Sequence, residues 1–175
     1  MSGLAKILAP YIGLESEINV ACDRVEAGAV RRHAQAIMDE HSMYGAVEAD
    51  SRYGGAVAPA LFPSMMFRRP LGSVDPVQEH AQDPDYDGNV ASGAAGLPPI
   101  EPLRDYATLN GGAEVELFRY VRHGEQVQLK SRYLDIRETN GRRGPMVIVV
   151  VESEYRTSEE ELLLRIKRTY IRSRV

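Results

Sequence analysis

Tryptophan is absent from the chain, cysteine occurs once, at Cys22, and aromatic residues make up only 7% of the sequence. One thiol cannot close an intrachain disulfide, so no such crosslink holds the fold, and a lone cysteine suits a reducing compartment. The cytoplasm is the expected location. A basic excess is also missing: Lys and Arg total 21 against 25 Asp and Glu, a formal charge of −4. Proteins that grip nucleic-acid backbones neutralise phosphates with surplus cations, so nucleic acid is not an expected partner. The longest strongly apolar run, MVIVVV at residues 146–151, falls far short of the roughly 20 residues that cross a bilayer as a helix. No membrane partner is expected. At the N-terminus, Pro10 and the acids after it interrupt MSGLAKILAPYIGLESE before a secretory core develops, which implies no export. The four histidines show no metal-ligand spacing and no cysteine pair exists, so no metal is expected. Phosphate loop, dinucleotide fingerprint and nucleophile elbow are all missing as complete motifs.

What is present fits one globular domain over residues 1–175, with 43% hydrophobic and 26% charged residues. Val30, Ala34, Ile37 and Met38 recur at helical spacing and predict an amphipathic helix over 26–39. Pro63 suits a first helical turn, and a short buried helix is expected from Pro63 to Arg69. The stretch from 70 to about 108 is rich in Pro, Gly and acids, including Asp83, Asp85 and Asp87; it reads as an irregular insertion whose first 31 residues, 70–100, are a lid, a partner-binding loop or a disordered segment. From Ala113 the pattern alternates: AEVELFRYV, EQVQLKSRYLDI, MVIVVVESEY and ELLLRIKRTYIR predict four antiparallel strands. Asn140 and Gly141 form a turn pair, and MVIVVV suggests a central strand covered on both faces. Arg165, Lys167, Arg168, Arg172 and Arg174 read as the solvated face of the last strand. Helices followed by an antiparallel meander make an α+β domain with a helix packed on a curved sheet.

The segment AQAIMDEHSMYG, residues 34–45, poses the functional question: a helical stretch ends in Asp39, Glu40, His41 and then Tyr44. With VEAGAVRRHAQAIMDEHSMY (25–44), GGAVAPALFP (54–63) and LNGGAEVELFRYVRHGEQVQLKSRYLDI (109–136) before GRRGPMVIVVVESEY, the chain resembles the N-terminal dehydratase domain of the MaoC-like hydratases and dehydratases. That resemblance implies the hot-dog fold, an antiparallel sheet wrapped around a central helix. It also implies reversible addition of water to the double bond of an enoyl thioester, carried on coenzyme A or acyl carrier protein, with no other cofactor.

In that family the loop reads glycine, aspartate, any residue, asparagine, proline, aliphatic, histidine, and the positions here are Met38, Asp39, Glu40, His41, Ser42, Met43 and Tyr44. The aspartate stays and the histidine is gone. Carboxylate and imidazole together hold a water and exchange its proton near neutral pH. Tyrosine cannot take over, because its reference pKa is about 3 to 4 units higher, or roughly 4 to 5 kcal/mol for ionisation at neutral pH. The resemblance therefore implies a degenerate hot-dog subunit that shapes the acyl tunnel while a second hot-dog chain supplies aspartate and histidine; a homodimer is the other assembly. Tyr44, Phe62, Met65 and Met66 are the expected substrate-binding residues. The alternatives are a self-sufficient hydratase using Asp39 and His41, a non-enzymatic acyl-thioester binding protein, and a hot-dog thioesterase. Asp39 as a simple turn organiser, and the two methionines and Phe62 as plain core, are the readings from chemistry alone. His33, His80 and His123 are read as structural or loop residues.

Overall fold

A computed structural model describes residues 3–45, 52–84, 96–141 and 144–174. It holds helices α1 (Gly3–Leu8), α2 (Ala27–Ala36) and α3 (Pro76–Glu79), and strands β1 (Asn19–Val20), β2 (Tyr106–Leu117), β3 (Val127–Gly141), β4 (Gly144–Thr157) and β5 (Leu162–Arg174). The strands form one antiparallel sheet in the order β1-β3-β4-β5-β2. The four expected strands are present, but only β3, β4 and β5 follow one another as a meander: β2 pairs with β5 at the far edge instead of with β3, and the two-residue β1 lies beside β3.

Alternation on β4 builds the core. Val147, Val149, Val151, Ser153 and Tyr155 are buried and share one face, paired on one side with Tyr133, Ser131 and Leu129 of β3 and on the other with Ile166 and Leu164 of β5. Two apolar clusters lie along this face. One joins Val30 and Ala34 of α2 to Tyr44, Val57, Phe62, Val121, Tyr155 and Leu164; the other joins Leu8 of α1, Leu97, Ile100 and Leu103 to Tyr133, Val149 and Val151. Between them the hydroxyls of Ser131 and Ser153 meet at 2.9 Å, and the Ser131 backbone N–H donates to Ser16 Oγ at 2.9 Å. Buried hydroxyls are tolerated there because each finds a partner.

The opposite face corrects one expectation. Ile148 and Val150 are only half-buried, so the MVIVVV strand is central but not fully covered on both sides. Further along that face an ion ladder crosses four strands: Arg132 of β3 holds Glu152 of β4 (Nη2–Oε1 2.6 Å), while Arg165 of β5 holds Glu154 of β4 and Glu116 of β2, each at 2.9 Å. Burial alone would raise the Glu154 carboxyl, but hydrogen bonds from Arg156 and Arg165 outweigh it and hold that group below the usual carboxylate range. The basic C-terminal strand is thus not simply a solvated face. Arg172 also donates to the Leu103 and Tyr106 carbonyls, at 2.6 and 3.1 Å.

Element boundaries shift for physical reasons. The helix expected over Pro63–Arg69 is only a 3-10 turn, Phe62–Met65; Pro70 disfavours helical backbone at the residue before it, and the segment is bracketed by Pro59 as well. The irregular stretch also ends before 108. Leu97, Ile100 and Leu103 enter the core and β2 starts at Tyr106; Asp85 and Asp87 of the expected lid lie outside the described residues.

Helix α2 stops earlier than its apolar stripe. The Met38 N–H bonds the Gln35 carbonyl (3.2 Å) and the Asp39 N–H bonds the Ala34 carbonyl (3.0 Å), the paired bonds of a helix C-terminal turn that requires left-handed backbone at its turning residue. Met38 takes that role at φ 57°, with its side chain 90% exposed, and Ile37 is 47% exposed. Neither joins the core. A side chain in this conformation costs about 1 to 2 kcal/mol, part of which glycine recovers after its extra unfolded-state entropy. Met38→Gly is expected to stabilise the chain by about 0.5 to 1 kcal/mol, read as a higher urea midpoint; a lower midpoint contradicts the strained-turn assignment.

Candidate functional site

The turn at Met38 throws Asp39 out of the helix line, and the chain then forms a 3-10 turn, Ser42–Tyr44, that returns Tyr44 to the core. Tyr44 is 8% exposed and its hydroxyl donates to Asp39 Oδ2 at 2.7 Å. Burial, and then the bonded carboxylate, push the Tyr44 phenol far above its ordinary range. It is a hydrogen-bond donor here and not a base. His41 caps the 3-10 turn: its Nδ1 accepts the Met43 N–H at 3.2 Å, and its exposed ring stands 6.1 Å from that of Tyr44. The Asp39–Tyr44 pair and the His41 cap hold the loop's shape although Met38, His41 and Ser42 replace the glycine, asparagine and proline that the resemblance implied.

Beside this loop opens a cleft of about 550 Å3, within the usual size of small-molecule sites. Ala27, Gly28, Arg31 and Ala34 of α2 form one wall, Glu40, His41, Ser42 and Tyr44 another, and Ala56 with His123 a third. Asp39 is not in the wall and reaches the cleft through Tyr44. The N-terminus of α2 contributes electrostatics: Glu26 makes no side-chain cap, and the first-turn N–H groups around Gly28 have no intrahelical acceptor, leaving partial positive charge at the cleft edge.

Of the other sequence-selected residues, Phe62 is buried and packs edge-on against His33 (5.4 Å), Met66 packs against the same cluster, and Met65 is 45% exposed. None of the three lines this cleft. His123 does line it, and nothing in the sequence marked it beyond a glycine after it. Its Nε2 is shut off from solvent with no hydrogen-bond partner among the described residues, a condition that costs about 1 to 3 kcal/mol for a buried polar group. Among the described residues no cluster of three or more His, Cys, Asp or Glu is arranged to hold a metal ion, and no helix is long and apolar enough to cross a membrane.

Residues 11–165 match the family model described as FAS1-like, dehydratase domain region. No curated protein matches the chain by sequence. Among solved structures, a chain of the ChsH1–ChsH2 complex from Mycobacterium tuberculosis superposes with a TM-score of 0.70 at 18% identity, over 98% of this chain and 89% of that one. A MaoC-like dehydratase from Rhodospirillum rubrum gives 0.59 at 20% identity, over 94% and 93%. A chain of the HadBC (3R-hydroxyacyl-ACP dehydratase) complex from Mycobacterium tuberculosis gives 0.56 at 17% identity, over 92% and 96%. These likenesses establish the hot-dog fold.

Because Tyr44 is most stable neutral in the folded chain, its contribution is fully present below the unfolded tyrosine value of about 10 and is lost as pH rises beyond it. A near-ultraviolet titration is expected to show Tyr44 still protonated after the exposed tyrosines have ionised. Asp39→Asn should lower its titration point without bringing it to the ordinary value, since burial remains; an unchanged titration contradicts the Tyr44–Asp39 bond.

Proposed function

Since the chain belongs to the FAS1-like dehydratase domain family, we propose that it is the non-catalytic subunit of an (R)-specific enoyl-thioester hydratase or 3-hydroxyacyl-thioester dehydratase. The observation that carries this reading is the 2.7 Å bond from the Tyr44 hydroxyl to Asp39. Hydration needs a group that takes a proton from water and another that delivers one to carbon, both near neutral pH. Tyr44 stands at the position where the family loop has histidine, holds its proton tightly, and occupies one oxygen of the carboxylate. His41 does not restore the dyad: its Nδ1 is spent on the Met43 cap. That cap argues against the self-sufficient hydratase built on Asp39 and His41.

The cleft still suits an acyl thioester. Its wall has small apolar residues, Ala27, Ala34 and Ala56, and the unfilled amides at the start of α2 offer donors to a thioester carbonyl. The chemistry is acid–base throughout and calls for no metal or redox group; coenzyme A or acyl carrier protein enters as the substrate's carrier, in the cytoplasm. A thioesterase shares this fold, but the retained aspartate loop favours the hydratase reading.

The partner follows from the same argument, since another hot-dog chain must supply aspartate and imidazole. Edge strand β2 is exposed from Leu109 to Leu117 and carries apolar Leu109, Val115 and Leu117, with Phe118 next to it. An uncovered edge of this length is a surface for another sheet. The ChsH1–ChsH2 and HadBC neighbours are themselves complexes, which supports pairing of unlike chains.

Native mass and crotonyl-CoA hydration, measured for the isolated chain and for the complex purified with its partner, test the proposal. The isolated chain is expected to turn over at least about 100-fold more slowly than the complex, the usual cost of losing one general acid/base group. Robust hydration by a pure homodimer contradicts it.

A further inference from the structure

We propose that His123 is a ligand-contacting residue of the cleft, turning its imidazole N–H to a carbonyl oxygen of the bound acyl thioester; this rests on the reading above. Three other polar side chains of the wall have structural duties. Tyr44 donates to Asp39, His41 accepts the Met43 N–H, and Arg31 donates to Gln35 at 3.2 Å. His123 Nε2 has no such duty.

The backbone beneath His123, in contrast, is fixed on every side. Its N–H donates to the Ala56 carbonyl (3.0 Å), the Gly124 N–H donates to the Val25 carbonyl (2.8 Å), and the Arg122 N–H donates to Glu125 Oε2 (2.7 Å). Arg119 grips Glu125 in turn, through Nη2–Oε1 at 2.9 Å. This scaffold holds one side chain at the cleft, and that side chain has an uncommitted nitrogen. Rotation about the Cβ–Cγ bond exchanges Nε2 with the neighbouring ring carbon and sacrifices no Nε2 hydrogen bond, so the ring is free to present its N–H when a carbonyl arrives. A buried polar group that serves no internal bond is a cost to folding, which binding recovers.

Two variants and two measurements test this. In thermal melts without ligand, His123→Leu is expected to be as stable as the unaltered chain or more so; a melting temperature several degrees lower makes the residue structural and overturns the inference. In calorimetric titration of the complex with butyryl-CoA, whose saturated chain cannot be hydrated, His123→Leu is expected to weaken binding about 10-fold, the worth of one good hydrogen bond. His123→Gln, which keeps an N–H donor, should recover most of it. Unchanged affinity in His123→Leu overturns the inference and leaves the proposed function standing, whereas no binding of butyryl-CoA by the unaltered complex overturns both.

Discussion

Because β4 is hydrogen-bonded along both edges, to β3 and to β5, its period of two decides what the rest of the chain can cover. A slip of one residue would put Ile148 and Val150 where Val147, Val149 and Val151 now lie and would turn Glu152 and Glu154 inward. The core clusters and the ion ladder are thus two expressions of one register. The buried Glu152 is tolerable only there, since Arg132 meets it directly; an unpaired carboxylate at that depth would cost several kcal/mol. The register also fixes Tyr155 and Leu164 under α2, and so the height at which the helix and its C-terminal turn sit on the sheet.

From that platform the loop's chemistry follows. Left-handed backbone at Met38 ends α2 and sends Asp39 to the surface, while the 3-10 turn brings Tyr44 back into the core. The carboxylate and the phenol then meet. The phenol holds its proton, and the His41 imidazole is turned to the Met43 N–H. On the proposed reading, a chain built this way binds and orients a thioester and leaves its hydration to the partner.

Much of this architecture is legible in the sequence, and the misses have definite causes. Strands β3, β4 and β5 announce themselves by alternation over long stretches. The first half of β2 does not, because Gly111 and Gly112 interrupt it at a register shift. Gly111 is there for closeness: a Cβ would lie 3.0 Å from Thr169 Cγ2 and 3.1 Å from its carbonyl oxygen on β5. Helical spacing extended α2 through Ile37 and Met38 because periodicity records which residues are apolar and carries no information about backbone that turns left-handed. The assignment of positions 38–44 to the family's loop, with Tyr44 at the histidine position, rests on the family resemblance alone. The Tyr44–Asp39 bond needed coordinates, and so did His123, which reaches the cleft from the β2–β3 connection and shares no sequence spacing with the loop.

The central claim is that Asp39 works for the structure and not for the reaction. Its most direct test is enoyl-thioester hydration by the assembled complex carrying Asp39→Asn in this chain alone. Here the carboxylate bonds a phenol that stays neutral, so the predicted rate constant lies within about 2-fold of the unaltered complex. A fall of about 100-fold or more, the signature of a lost general acid/base group, with the complex still assembled and folded, would contradict the account.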